Sequence, residues 1–565
     1  MSSIDVTPPA QEAQLSRWDR SEATATLAAY EQRPPEQSQR EFAREKDVAR
    51  GTLQHWKARK DGLDADPLVA EFFESPQGLA VVHRLVAAAH FIFSQVGPCG
   101  VRLLSLFLIL SRLDRVVAAS RGSQHKVAVA IEELITEFGR GERERLSATM
   151  EPKTISVCED ETFHRGRMCL VGIEALSNFI LLEKYSPRRD EQSWNTAMQG
   201  ALEGLQVELA QALSDEAKGL VAHARNGLGV EHGADLFHVQ YEMGKGTTVS
   251  LARRVQRAEE ELEKARAEVQ RRLDQRSPSQ SVPLAEGQTE ALEQRVALAR
   301  EAEQQALAAL HEAEEMRLQA KEAIRAVGQS YHPVRLEDGH LRSAAELETE
   351  LTEQFDRIEG VALLTGLSES CWGHITKARR LIPKMVATLA FFFERMRLAL
   401  SSLQLEPQLD TLVRQKLVPG LYLQRVAEQA KGAERKSELR KRASDILAEA
   451  HAASGPLQSL PPERRELIEQ TARRCAEMFV RSSSCVEGRN GQLALHHQSV
   501  HRLSDRKLTV LTTIHNYFLR RPDGSTAAER FFGSKPQDLF EWLLNRLDLP
   551  ARPARKRPRK SPNLL

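Results

Sequence analysis

Three consecutive acids, Glu159-Asp160-Glu161, interrupt an apolar stretch, TISVCEDETFHRGRMCLVGIE, at residues 154–174. Ile155 and Val157 alternate with Ser156 and Cys158, which predicts a short strand, and Arg165-Gly166 predicts a tight turn into a second one. The same alternation sends Asp160 to the face opposite Ile155 and Val157. A carboxylate buried at the end of a strand is costly unless something partners it, and a divalent cation bound by hard oxygen ligands is one such partner. Asp160 is therefore read as the first of three metal-binding carboxylates, with Glu161 as an auxiliary candidate.

The other two acids must come from elsewhere in the chain. Residues 168–173 and 179–185 give two more short apolar runs, so three successive strands form a meander. A helix follows, with Trp194, Ala197, Met198, Ala201, Leu202 and Leu205 on one face. A fourth strand over 207–213 runs into Asp215, which opens a helix with Leu220, Val221 and Ala224 inward. DLFHVQ, residues 235–240, reads as a fifth strand, and its Asp235 is a rival for the second acid. Glu487 sits near the start of a late helix, with Asn490 one turn on. Three antiparallel strands, helix, strand, helix and strand is the order of a ribonuclease-H-like core. Strands one and four are neighbours there, so Asp160 and Asp215, each at a strand end, would meet.

The fold class expected is mainly α with a central α/β domain. Its mixed five-stranded sheet is interrupted by a large all-helical insertion. Aromatic residues are 5 % of the 565-residue chain, while Ala, Leu, Glu and Arg abound. Residues 1–37 are polar and read as disordered. Residues 38–62 have the spacing of a helix-turn-helix: Leu53 and Trp56 point inward, and Arg50, Gln54, His55, Lys57 and Arg59 are left for a DNA groove and its phosphates. An ordinary amphipathic hairpin with a basic face fits the same spacing. A helical domain follows over 66–148. Residues 152–245 hold the first part of the core, 246–480 the insertion and 481–535 the last part with Glu487. Within the insertion, 248–326 reads as two long helices in an antiparallel coiled-coil hairpin. The tail 551–565, with RPARKRPRK, is a basic arm suited to polyanions.

The motifs VCEDETF (157–163), SDEAKGL (214–220), DLFHV (235–239) and VEGRNGQL (486–493) resemble those of DDE transposases of bacterial insertion sequences. The likeness spans residues 150–245 and 480–535. It implies a catalytic triad of Asp160, Asp215 and Glu487 holding two Mg²⁺ ions, with Mn²⁺ as a substitute. Asp160 would touch both ions, Asp215 one and Glu487 the other. Two such ions about 3.5–4 Å apart serve an in-line phosphodiester displacement, as in DNA cleavage and strand transfer. The resemblance also implies double-stranded DNA as partner, at least a dimer on DNA, and His238 as a residue orienting substrate or a ligand. Ala494 replaces the basic residue of many relatives, so phosphate contact would fall to Arg489 or Arg502, beside Asn490.

Other chemistry is disfavoured. The six cysteines are scattered with no C-x-x-C pair, against a zinc site or disulfide framework and in keeping with a reducing, cytoplasmic setting. The net charge of +1 means that nucleic acid must be met by local basic patches. Gly244-Lys245-Gly246-Thr247 lacks the preceding glycine of a phosphate-binding loop. No signal peptide is read at the N-terminus, and the apolar run 103–110 is too short for a membrane span, so it is expected to be a core helix. Alternatives left open are an inactive, transposase-derived DNA-binding protein, a ribonuclease-H-like nuclease without strand transfer, and a coiled-coil scaffold.

Overall fold

The computed structural model describes residues 20–58, 67–164, 166–276, 286–499, 503–521 and 523–551. The expectations for residues 1–19, Arg59, Arg502 and the tail from Arg552 onward lie outside the described residues, as does the side chain of His55.

The chain is mostly helical around one mixed five-stranded sheet. Its strands are β1 (Lys153–His164), β2 (Arg167–Glu174), β3 (Ile180–Ser186), β4 (Val207–Ser214) and β5 (Glu231–Ala234), in the order β3-β2-β1-β4-β5. The meander β1–β3 is antiparallel, whereas β4 and β5 run parallel to β1. Ile155, Val157, Leu170 and Ala212 share a core with Trp194 and Met198 of helix Glu191–Leu202. Cys158, Cys169, Val171 and Leu213, one residue out of phase, pack instead with Val486, Leu493, Leu508 and Leu511. Each face of the sheet is therefore covered by helix, as a parallel pair at its centre requires.

Two elements differ from the sequence expectation. β1 continues past Asp160, because its pairing with β2 runs on to His164 opposite Arg167. Asp160 thus lies within a long strand and not at its end. DLFHVQ is not a strand: it opens helix Leu236–Arg276, and the fifth strand is the preceding EHGA. Leu236, Val239 and Met243 are buried at helical spacing, which outweighs the strand-like look of the short run.

Residues 20–31, expected to be disordered, form helix Arg20–Glu31. Its Ala23, Leu27 and Tyr30 pack with Phe42, Ala43, Leu53 and Trp56, making a small three-helix core with helices Gln39–Glu45 and Arg50–Ala58. Helix Arg121–Ser147 joins the sheet's own core through Ile131, Ile135 and Phe138. Leu236–Arg276 and Glu286–Ser330 lie antiparallel, with Arg254 facing Glu312 and Arg266 facing Glu303. Val255, Leu262 and Val269 recur every seven residues along the buried seam. The base of this hairpin is seated in a helical core that extends to Phe479. Gly246 lies inside the first arm, where a Cβ would stand 2.9 Å from the Cys371 carbonyl oxygen. Close helix approach, not phosphate binding, accounts for that glycine.

Helix Val101–Leu110 is not a core helix. Leu104 and Leu108 are buried, but Leu103, Leu106, Phe107, Ile109 and Leu110 are exposed. Among the described residues one helical stretch, Pro76–Val96, has the length and apolar composition of a membrane span, and half of it is buried within the protein.

Candidate metal centre

The last residue pair joining β1 to β4 is Cys158 with Leu213. Continuing that parallel register by two residues brings Asp160 level with Asp215, which follows β4 directly. Helix Ser484–Ser499 supplies the third acid. Two contacts hold its start over β1: Cys158 Sγ lies 3.7 Å from the Ser482 carbonyl oxygen, and the Thr162 hydroxyl donates to Asn490 Oδ1 at 2.9 Å. Cys158 and Thr162 flank Asp160 on its own face of the strand. Glu487 lies between Ser482 and Asn490.

Asp160 lies within the electrostatic reach of the other two acids. The Asp160 carboxyl is pushed up to about 6: burial is the main cause, the charges of Asp215 and Glu487 add to it, and the Glu161 N–H and His238 oppose it. The Glu161 backbone N–H donates to Asp160 Oδ1 at 2.7 Å. His238 stands beside the acids, with Nε2 3.9 Å from Asp215 Oδ2 and Nδ1 bonded to Asp235 Oδ2 at 2.8 Å. Burial lowers the basicity of His238, but the hydrogen bond and charge of Asp235, with Asp215 and Asp160 behind it, raise it overall. A partly desolvated carboxylate facing two others is an arrangement that a cation relieves.

Asp235, the rival second acid, is committed elsewhere. It accepts from the backbone N–H of Ser483 at 2.9 Å and from its hydroxyl at 2.5 Å, as well as from the Phe237 N–H. This fastens the segment before Glu487 to the start of the long helix.

Two candidates are moved away from the roles expected for them. Glu161 lies on the opposite face of β1 from Asp160, where Trp194 Nε1 donates to it at 3.2 Å and Arg189 pairs with it at 3.0 Å. It is a structural acid in this geometry, not an auxiliary ligand. Arg489 is buried and bidentate to Glu183 at 2.8 and 2.7 Å, so it is not available to a DNA phosphate. Asn490 is half-buried on Thr162. In the helix-turn-helix segment Arg50 and Gln54 are exposed, while the Lys57 ammonium lies 4.5 Å from the centre of the Tyr30 ring.

Sequence reading missed several residues that hold the site. Glu183 is one, and its charge inside the apolar strand ILLEKYS was the available signal. Lys384 is another: it pairs with Glu216 at 2.6 Å, tying helix Ile382–Ser401 to the loop that carries Asp215. Behind β1, Glu159 is fully buried with His223 Nε2 at 3.3 Å, and burial pushes its carboxyl up.

Residues 413–559 match a family described as a family of unknown function (DUF6399). That segment includes Glu487 but not Asp160 or Asp215. No curated protein and no solved structure matches the chain.

Carboxylate oxygens are suitable donors for Mg²⁺ or Mn²⁺, which keep several waters and need no closed protein cage. Among the described residues, no three His, Cys, Asp or Glu side chains converge as a ready-made ligand group. The acids present have the donor chemistry for a hard, hydrated cation, and they are not closed around one.

Proposed function

We propose that this protein is a DDE-type transposase with a ribonuclease-H-like core, acting on double-stranded DNA. The observation that carries the reading is topological: Asp160 on β1 is level with Asp215 after the neighbouring β4, and the helix that carries Glu487, some 270 residues further on, is held against β1 through Cys158 and Thr162. The strand order β3-β2-β1-β4-β5 supports it.

Asp160, Asp215 and Glu487 would hold the divalent ions, which when bound supply an activated oxygen nucleophile and charge neutralisation at the phosphate. The chain's own contribution is placement. β1 and β4 set two carboxylates at one level, and Asp235 clamps Ser483, four residues before Glu487, to the start of the long helix. His238, its Nδ1 engaged by Asp235, turns Nε2 toward the acids and is placed to donate a hydrogen bond to a phosphate oxygen there. Beside the outer end of β1, Phe163, Arg167, Tyr185, Arg188 and Arg189 line a groove of about 640 Å³ that suits a nucleic-acid backbone. The exposed Arg50 and Gln54 are suited to reading duplex DNA.

The test is cleavage of duplexes made from the DNA flanking the gene. Purified protein with Mg²⁺ or Mn²⁺ should nick or cut at inverted repeats and join the freed 3′ ends to a second duplex. Cutting without joining would support a plain nuclease. Binding without cutting would support the second reading, a DNA-binding protein with an inactive core, which the open arrangement of the acids favours.

A further inference from the structure

The most apolar helix of the chain is largely uncovered. In Val101–Leu110, VRLLSLFLIL, the exposed fractions are 55 % for Leu103, 47 % for Leu106, 37 % for Phe107, 52 % for Ile109 and 74 % for Leu110. The patch continues onto the preceding segment, where Phe93 meets Phe107 edge-to-face at 5.9 Å and Ile92 and Phe93 are 45 % and 43 % exposed. Taken over side chains on the order of 200 Å² each, these seven residues expose roughly 700 Å². That exceeds the largest apolar patch of an ordinary monomer, about 300–600 Å², and approaches the roughly 800 Å² that each partner gives to a stable protein interface.

We infer that this face is a self-association surface, in which helix Val101–Leu110 packs against the same helix of a second copy about a two-fold axis. The area is what one half of a standard dimer needs. Charge also suits a self-complementary contact. Arg102 is the sole ionised residue of the helix and stands at its N-terminal end, so an antiparallel pair separates the two guanidinium groups. The exposed Ser111 and Arg112 form a polar rim at the other end. The residues after Ala551 do not suit the role of cover: RPARKRPRKSPNLL is basic and has only two large apolar side chains. The inference does not depend on the proposed catalytic activity, and it concerns the free protein without DNA.

The experiment is sedimentation velocity of the full chain at about 1–50 μM without DNA, with wild type, Leu106→Glu and Leu110→Ser. Both positions are exposed, so each variant should keep the wild-type circular dichroism spectrum. The expected result is a dimer for wild type, a weakening of at least tenfold for Leu110→Ser and a monomer for Leu106→Glu. A wild-type monomer at 50 μM overturns the proposal, as does a dimer that both substitutions leave intact. Flotation of a wild-type monomer with phosphatidylcholine–phosphatidylglycerol vesicles, abolished by Leu106→Glu, would assign the face to a lipid surface and equally overturn it.

Discussion

Asp235 and Ser483 are joined by two hydrogen bonds, 2.9 Å to the backbone N–H and 2.5 Å to the hydroxyl, across 248 residues of sequence. The pair closes the circuit of the fold. It binds the start of the inserted helices to the segment that re-enters the sheet domain and carries Glu487. Burial raises the Asp235 carboxyl, yet the bonds from His238 and Ser483 bring it below its ordinary value. Asp235→Ala removes the acceptor from a buried donor pair and is expected to cost about 2–4 kcal/mol of stability. In a double-mutant cycle with Ser483→Ala, denaturant unfolding should show a coupling of about 1–3 kcal/mol. Additive effects would mean that the clamp does not form.

Arg489 and Glu183 form a buried ion pair, and removing one partner leaves the other charge stranded. Arg489→Met should therefore destabilise by about 3–5 kcal/mol. The double variant Arg489→Met with Glu183→Leu should recover much of that loss. Duplex binding by any folded fraction should keep its salt dependence, because Arg489 meets no phosphate. A salt slope reduced by about one would restore the DNA-contact role that its burial denies.

The same pair sets an acid limb to stability. Burial pushes the Glu183 carboxyl up, but Arg489 and the Thr512 hydroxyl hold it below its ordinary value. A carboxyl depressed in the folded state stabilises above its unfolded value of about 4.3, and that contribution is lost as pH falls through the lower folded value. Thermal midpoints from pH 6 down to pH 3 should fall on this account. Glu183→Gln should give a shallower fall from a lower starting point, and an unchanged slope would remove Glu183 as a source of the limb.

Much of this arrangement is legible in the sequence. Period-two alternation located the start of β1 and short apolar runs located the strands after it, and the inward turn of Leu53 and Trp56 followed from helical spacing. The two long helices of the hairpin were legible in composition, while the burial of Val255, Leu262 and Val269 along a seam was not, because the apolar spacing of that arm is thin. What escaped depends on long-range partners. β1 extends through Glu159 and Glu161 because His223, Trp194 and Arg189 meet those acids from distant elements. EHGA is four residues long, too short for any periodicity, and its Gly233 is fitted against the Gln211 side chain. Helix Arg20–Glu31 has few large apolar residues, and only the cover given by Phe42 and Trp56 makes it worthwhile. The exposed face of Val101–Leu110 carries no sequence mark distinguishing it from a core helix.

The helix-turn-helix segment makes its own prediction. Arg50→Ala should weaken duplex binding uniformly across sequences and lower the salt slope by about one if it meets a phosphate. Gln54→Ala should instead relax sequence preference if it reads a base edge. Fluorescence anisotropy on cognate and scrambled duplexes separates the two. Equal affinity of wild type and both variants would leave this segment as a structural hairpin.

The central claim is that Asp160, Asp215 and Glu487 form one divalent-cation site. Burial and like charge already disfavour ionised Asp160, so Asp160→Asn should fold at least as stably as wild type in the absence of metal. The direct measurement is calorimetric titration of Mn²⁺ into wild type, Asp160→Asn, Asp215→Asn and Glu487→Gln, each first shown to be folded by circular dichroism. The account predicts Mn²⁺ binding to wild type that Asp160→Asn abolishes and that each of the other two substitutions weakens by at least tenfold. Indistinguishable isotherms for all four proteins would contradict it.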